Sequence, residues 1–451
     1  MKTNWDLTVF YKDFDDPEFK DDLARLPKEI DAFTAAIAAP AEDEVKKLVS
    51  LVHQEEALSN LFERLSLMIG LTLSVDANNK AANAAMAPLM RAVMGSSLAS
   101  NAFSRYLASL ENLDAIIDVD DELKARAFAL REAAEDAKHQ LPEALEKPVL
   151  KMQLSGGEAF SQLRDKLDAT LLVDYDGKQI PLSAVRALAY DGDADTRRRA
   201  YEAELASYKK IELPMSFCLN NLKAEGETMA ALKGYKGVLD MALAHSRMDE
   251  KTLEAMWTAI REALPELREY FKAKGSLLGH ENGLPFYDLF APVGQSTRTY
   301  TVEEARALLL DLFGKFCPEM GEMMRTAFDE GWIDMYPREG KSGGAFCSGY
   351  YAKNISRVMT NFAGSASDVS TLAHELGHSL HSYYSNRNNR PMLAGYQIFV
   401  AEVASTVNEL LLSHPLLQTS ESPAYRRYIL SNPMEQMTGT CYRQLMFAPF
   451  E

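Results

Sequence analysis

The chain has 451 residues, 48 Lys plus Arg against 65 Asp plus Glu, a net charge of −17, and 47% apolar residues on a wide count. That is enough to build a sizeable core in two or three domains, and the acidic balance excludes sequence-independent nucleic-acid binding, which needs clustered Lys and Arg to displace counterions from phosphates. Cys218, Cys317, Cys347 and Cys441 are scattered with no C-x-x-C pair, which excludes a disulfide framework and a cysteine zinc site and fits a reducing compartment.

The first residues run from Trp5-Asp6 straight into acidic sequence without the apolar stretch of a secretory signal. No charge-free apolar run approaches the ~18 residues of a membrane span. A cytoplasmic protein, bound to neither membrane nor nucleic acid, is expected; the sequence is silent on oligomeric state.

Residues 21–146 are rich in Ala, Leu, Glu and Lys, with apolar residues at three- and four-residue steps. Leu61, Leu65, Met68, Leu71 and Leu73 form one stripe, and Leu123, Ala127, Leu130 and Ala134 another. Both predict amphipathic helices in an antiparallel array. At 169–182 two short β-prone runs flank Asp176-Gly177, which predicts a hairpin. Turn formers at 191–195 precede a charged helical stretch, and a soft domain boundary is placed between 183 and 200.

A second non-helical island spans 340–362. Its β-prone runs 345–352 and 355–362 meet at Lys353-Asn354 and predict a second hairpin. Gly340-Lys341-Ser342 imitates the end of a phosphate-binding loop, but Met335 stands where that motif needs glycine. Gly340 to Gly344 also fits the nucleophile-elbow spacing, yet lacks the preceding core strand and following helix.

The chemistry concentrates after this island. His374 and His378, four residues apart on a predicted helix, aim two imidazoles at one point, and Glu375 stands beside them. This His-Glu-x-x-His arrangement suits two zinc ligands and a general base. Ser365 to Asp368 supply helix caps, and Val369, Leu372, Ala373, Leu376 and Leu380 supply a core face. Downstream, Glu402 lies in a strongly apolar run that should be largely buried, where an ionised carboxylate is costly unless a metal or cation meets it. With Glu402 as third ligand, one tetrahedral position stays open for water, as in catalytic zinc sites. Asp368, His381 and Glu409 are candidates to orient the ligands from behind. His53, His139, His245, His280 and His414 have no partners at ligand spacing.

The segments 371–382 and 398–409, with the Trp5-Asp6-Leu7 start, the 286–292 segment and the 344–362 hairpin, closely resemble the oligoendopeptidase F group of M3 zinc metallopeptidases, relatives of thimet oligopeptidase. The resemblance implies a mainly α, clam-shaped, two-lobed fold, with a small β-sheet or hairpin next to the zinc-binding helices. It implies an N-terminal helical lobe over 1–195, including the hairpin near 169–182, and a catalytic domain over 196–451. Carried over residue by residue, His374, His378 and Glu402 hold one Zn2+ per chain and Glu375 is the base. Gly344, Ala345, Phe346 and Cys347 line the cleft, where an edge strand pairs with extended peptide.

The implied activity is cleavage of internal bonds in short peptides. A metallocarboxypeptidase of similar helical fold, or a non-catalytic peptide-binding protein, are the competing expectations. The family's oxyanion-stabilising His and Tyr fall beyond Glu451, so the chain is expected to be a truncated, amino-terminal part of a longer enzyme, able to hold zinc yet nearly inactive alone.

Overall fold

The computed structural model describes residues 2–294, 299–419 and 422–450. Glu451 lies outside them. The fold is mainly helical with two small sheets. The chain divides into two compact units, Met1–Gln140 with Arg298–Leu412, and Leu141–Thr297 with Ser413–Glu451. The stretch 183–200, expected to hold a boundary, lies inside the second unit. Among the described residues no helix is long and apolar enough to cross a membrane.

In the first unit the helices Pro17–Ala38, Glu44–Val75 and Lys80–Ser109 pack on one another. Asp16, Asp43 and Asn79 cap them, each accepting a first-turn N–H. The predicted stripe is their core: Leu61, Leu65, Met68 and Leu71 are buried against Phe10, Leu26, Phe33 and Phe103. The second stripe is broken. Leu123 belongs to the short helix Asp121–Lys124 and Leu130 to Ala127–Asp136. Between them the buried Arg126 guanidinium reaches Glu56 at 2.7 Å and Glu122 at 2.7 Å.

The second predicted hairpin is present as Phe346–Tyr350 and Ile355–Met359, antiparallel, with Asn354 in the left-handed region at the turn. A two-residue strand that the sequence did not suggest, Ile333–Asp334, pairs parallel on the far side of Ile355–Met359. Phe346–Tyr350 is therefore an edge strand. The false phosphate loop is a structural tie: buried Lys341 donates to Asp334 Oδ1 at 2.7 Å and to the carbonyls of Tyr336 and Thr360 at 2.9 and 2.5 Å.

In the second unit Leu172–Tyr175 and Lys178–Pro181 form the predicted first hairpin. Asp176 and Gly177 both have positive φ, as a two-residue turn between twisted strands requires. Val173, Leu182, Val185 and Ile211 make its core. Asp193 caps the helix Ala194–Tyr208 by accepting from Thr196 N at 2.9 Å. Buried Arg197 meets Asp288 at 2.7 Å, and His280 meets the other oxygen of Asp288 at 2.6 Å, which gives His280 a structural role.

Candidate metal centre

The helix Ala366–Asn388 opens with a capping box: Ser365 and Asp368 exchange hydrogen bonds, and Asp368 also accepts from Ala363 N at 3.0 Å. This is where the Asp368 carboxylate is engaged, so it anchors the helix and does not orient an imidazole. Val369, Leu372, Ala373, Leu376 and Leu380 are buried, as their spacing predicts. That fixes the helix rotation and turns His374 and His378 together to one side, their ring centroids 4.8 Å apart.

The helix Ile398–Thr419 crosses the motif helix at Gly377. A Cβ on Gly377 would stand 2.6 Å from Ser405 Cα and 2.7 Å from the Ala404 carbonyl, so only glycine permits this approach. Asn408, fully buried, donates to the Ala373 carbonyl at 3.0 Å and ties the pair. Glu402, Ser405, Asn408 and Glu409 thus face the motif helix. Phe399, Val403, Val407 and Leu410 point outward and are exposed among the described residues. The expectation that this apolar run is largely buried is corrected: its polar side takes the close helix contact.

Three donor atoms converge. His374 Nε2 and His378 Nε2 are 3.2 Å apart, and Glu402 Oε2 lies 3.3 Å from the first and 3.6 Å from the second. A tetrahedral zinc site with N and O ligands has donor–donor edges of about 3.4 Å, so this triangle fits such an ion. Glu402 is 54% exposed; its place in the cluster follows from geometry, with Ser405 Oγ donating at 2.8 Å, and not from the burial cost expected of it.

Glu409 accepts from His374 Nδ1 at 2.6 Å, which leaves the Nε2 lone pair for the cluster. That bond holds the imidazole pKa above its usual value, while burial pushes that of His378 down. Glu375 is buried, one carboxylate oxygen is without a protein partner, and burial raises its pKa to about 7. His381, a supporting or structural residue on the sequence reading, stacks its ring on Tyr396 at 3.9 Å, and its buried Nδ1 has no partner among the described residues.

Beside the motif helix runs the edge strand. Cys347 Sγ lies 3.3 Å from Ser379 Oγ, and the nearby Glu375 charge helps raise its thiol pKa to about 12, with burial the main cause. On the inner strand the N–H groups of Val358 and Thr360 reach Trp332 O and Asp334 O, both at 2.9 Å. Alternation then directs Arg357 and Met359 to their register partners Ser348 and Phe346. The backbone groups of Cys347 and Gly349 consequently face the open edge. Gly344 lies just before the strand, its carbonyl accepting from Asn361 at 2.9 Å, and Ala345 follows it. Sequence reasoning missed Gly377, Asn408 and Tyr396, whereas Ser405 falls on the same polar stripe as Glu402 and Glu409. A glycine inside a strongly patterned helix, and the Glu402, Ser405, Asn408 three-residue step, were the available signals.

The model of Peptidase family M3 matches residues 187–451, and an Oligopeptidase F model matches 108–172. Oligopeptidase PepF of Bacillus subtilis is 31% identical over 339 residues, which are 73% of this chain and 50% of that protein. The chain thus spans about half of this relative. An oligoendopeptidase F homolog of Lactococcus lactis subsp. lactis is 24% identical over the whole chain and 76% of its own length. A solved structure from Chlamydophila abortus matches with TM-score 0.79 and 25% identity, over 99% of this chain and 76% of that one. The match to the M3 model takes in the motif helix, the crossing helix and the edge strand, and the chain belongs to peptidase family M3.

Proposed function

We propose that this chain carries the catalytic centre of a zinc-dependent endopeptidase acting on internal bonds of short peptides. The observation that supports it most is the donor triangle of His374, His378 and Glu402, with edges of 3.2 to 3.6 Å. Zinc held by these three residues would polarise the scissile carbonyl and lower the pKa of water. Glu409 fixes the His374 tautomer that presents Nε2. Glu375, next in sequence to His374 and without a partner on one oxygen, takes a proton from the attacking water as its oxygen bonds to the carbonyl carbon. As the C–N bond breaks, Glu375 returns that proton to the leaving nitrogen.

The substrate lies extended along the open edge of Phe346–Tyr350, with Gly344, Ala345, Phe346 and Cys347 at the start of that edge. Backbone pairing there gives affinity with loose side-chain preference, which suits a peptidase of broad range. The test is Glu375→Gln in the full-length protein: zinc should remain at one per chain while cleavage of an internally quenched peptide falls by about 100-fold or more. Undiminished cleavage overturns the mechanism, and products shortened one residue at a time from the carboxyl end would assign a carboxypeptidase instead.

A further inference from the structure

The open edge of Phe346–Tyr350 runs into a cavity of about 450 Å³ lined by Gly349, Tyr351, Ser382, Tyr396, Asn60 and Glu63. A second cavity, of about 480 Å³, follows the other face of the strand past Phe346 and Ser348. Glu63 lines both. Among the described residues Cys347 and Gly349 present free N–H and C=O groups along the edge, and Glu63 lines the cavity together with Tyr351, the next residue of that register. An added strand therefore meets Glu63 where pairing stops.

Glu63 differs from the other acid on that wall. Glu56 is held by Arg126 at 2.7 Å. Glu63 is half-buried and forms no ion pair among the described residues, and burial raises its carboxyl pKa. A desolvated carboxylate without a cation gains more from an incoming ammonium than a solvated one does.

We propose that Glu63 receives a cationic group of the substrate, foremost the free amino terminus of a peptide lying antiparallel on the strand. Antiparallel pairing sends the peptide's amino end toward Tyr351 and its later residues toward Cys347 and Glu375. Tyr351 is four residue steps from Cys347, about 13 Å at ~3.3 Å per residue. Glu63 thereby measures the cut from the amino end and favours short peptides with an unblocked terminus. The inference rests on the peptidase reading above and adds a determinant of substrate choice to it.

The test uses the zinc-loaded chain carrying Glu375→Gln, so that peptides stay intact, and reads binding by fluorescence anisotropy of a peptide labelled at its carboxyl end. The free-amine peptide should bind about tenfold more tightly than its N-acetylated form. Adding Glu63→Gln should abolish that ratio, and Glu63→Lys should invert it in favour of an N-succinylated peptide, with thermal melting unchanged in both. An acetylated peptide with Lys at its first position distinguishes the sources: recovered affinity means any cation is read, and no recovery means the α-amino group is. Equal binding of free and acetylated peptides, or a ratio that survives Glu63→Gln, overturns the assignment while leaving the peptidase reading intact. If neither the free nor the acetylated peptide binds the zinc-loaded chain, both fall together.

Discussion

Gly377 and Ser405 make the closest approach between the two helices of the metal centre: a side chain on the first would stand 2.6 Å from the backbone of the second. The obstacle is backbone, so no rotamer relieves it. Gly377→Ala should cost about 1–3 kcal/mol, as overpacking does. It should also push Glu402 away from the two histidines and weaken zinc binding by at least tenfold. Urea unfolding and zinc titration against a competing chelator check both effects, and an alanine tolerated in both would show that the helices are not held by this contact.

The two carboxylates beside the motif separate by function. Glu409 bonds His374 Nδ1, whereas Asp368 bonds the backbone at the helix start. Glu409→Ala should lower zinc affinity by about 10- to 100-fold. Asp368→Ala should leave zinc affinity unchanged and cost about 1 kcal/mol of stability, the usual worth of a cap. Chelator competition and thermal melting of the two variants, read side by side, should move in opposite columns.

Much of this centre was legible because helical periodicity is local. The buried side of Val369, Leu372, Ala373, Leu376 and Leu380 settles which way His374 and His378 face. The Asp176-Gly177 turn was legible for the same reason, since positive φ at two successive residues restricts the side chains allowed. What was not legible depends on which surfaces meet. The apolar residues of Ile398–Thr419 suggest a buried run, yet the crossing at Gly377 gives the inner side to Ser405 and Asn408. The stripe from Leu123 to Ala134 is interrupted at Arg126, whose ion partner Glu56 lies 70 residues away and so leaves no local trace. Ile333–Asp334 is too short for any alternation to announce it.

Stability should carry a pH signature from outside the metal centre. Burial and the neighbouring Glu56 raise the Glu55 carboxyl pKa to about 7 from 4.5. The folded state then binds a proton that the unfolded state has released, so this group's contribution is fully present below about pH 4.5 and lost as pH rises through about 7. Glu55→Gln should leave stability nearly unchanged at pH 4.5 and raise it by about 3 kcal/mol at pH 8. Urea unfolding of parent and variant at the two pH values measures this, and a gain equal at both would assign the effect to something other than ionisation.

Lys341 supplies the sharpest contrast between a motif and its setting. Its ammonium is fully buried between Asp334 and the carbonyls of Tyr336 and Thr360, and burial lowers its pKa while Asp334 opposes that shift. Removing it leaves Asp334, itself 1% exposed, with only the partly exposed Arg338 at 2.6 Å to balance its charge. Breaking a buried pair from one side costs about 3–5 kcal/mol. Lys341→Met should therefore lower stability by about that amount. The double replacement with Asp334→Leu should recover part of the loss, because no buried carboxylate then remains without its partner. Nucleotide should change the melting temperature of neither the parent nor the variants, since no phosphate can reach an ammonium already surrounded by protein oxygens. A melting shift with ATP that disappears in Lys341→Met would restore the phosphate-loop reading of Gly340-Lys341-Ser342.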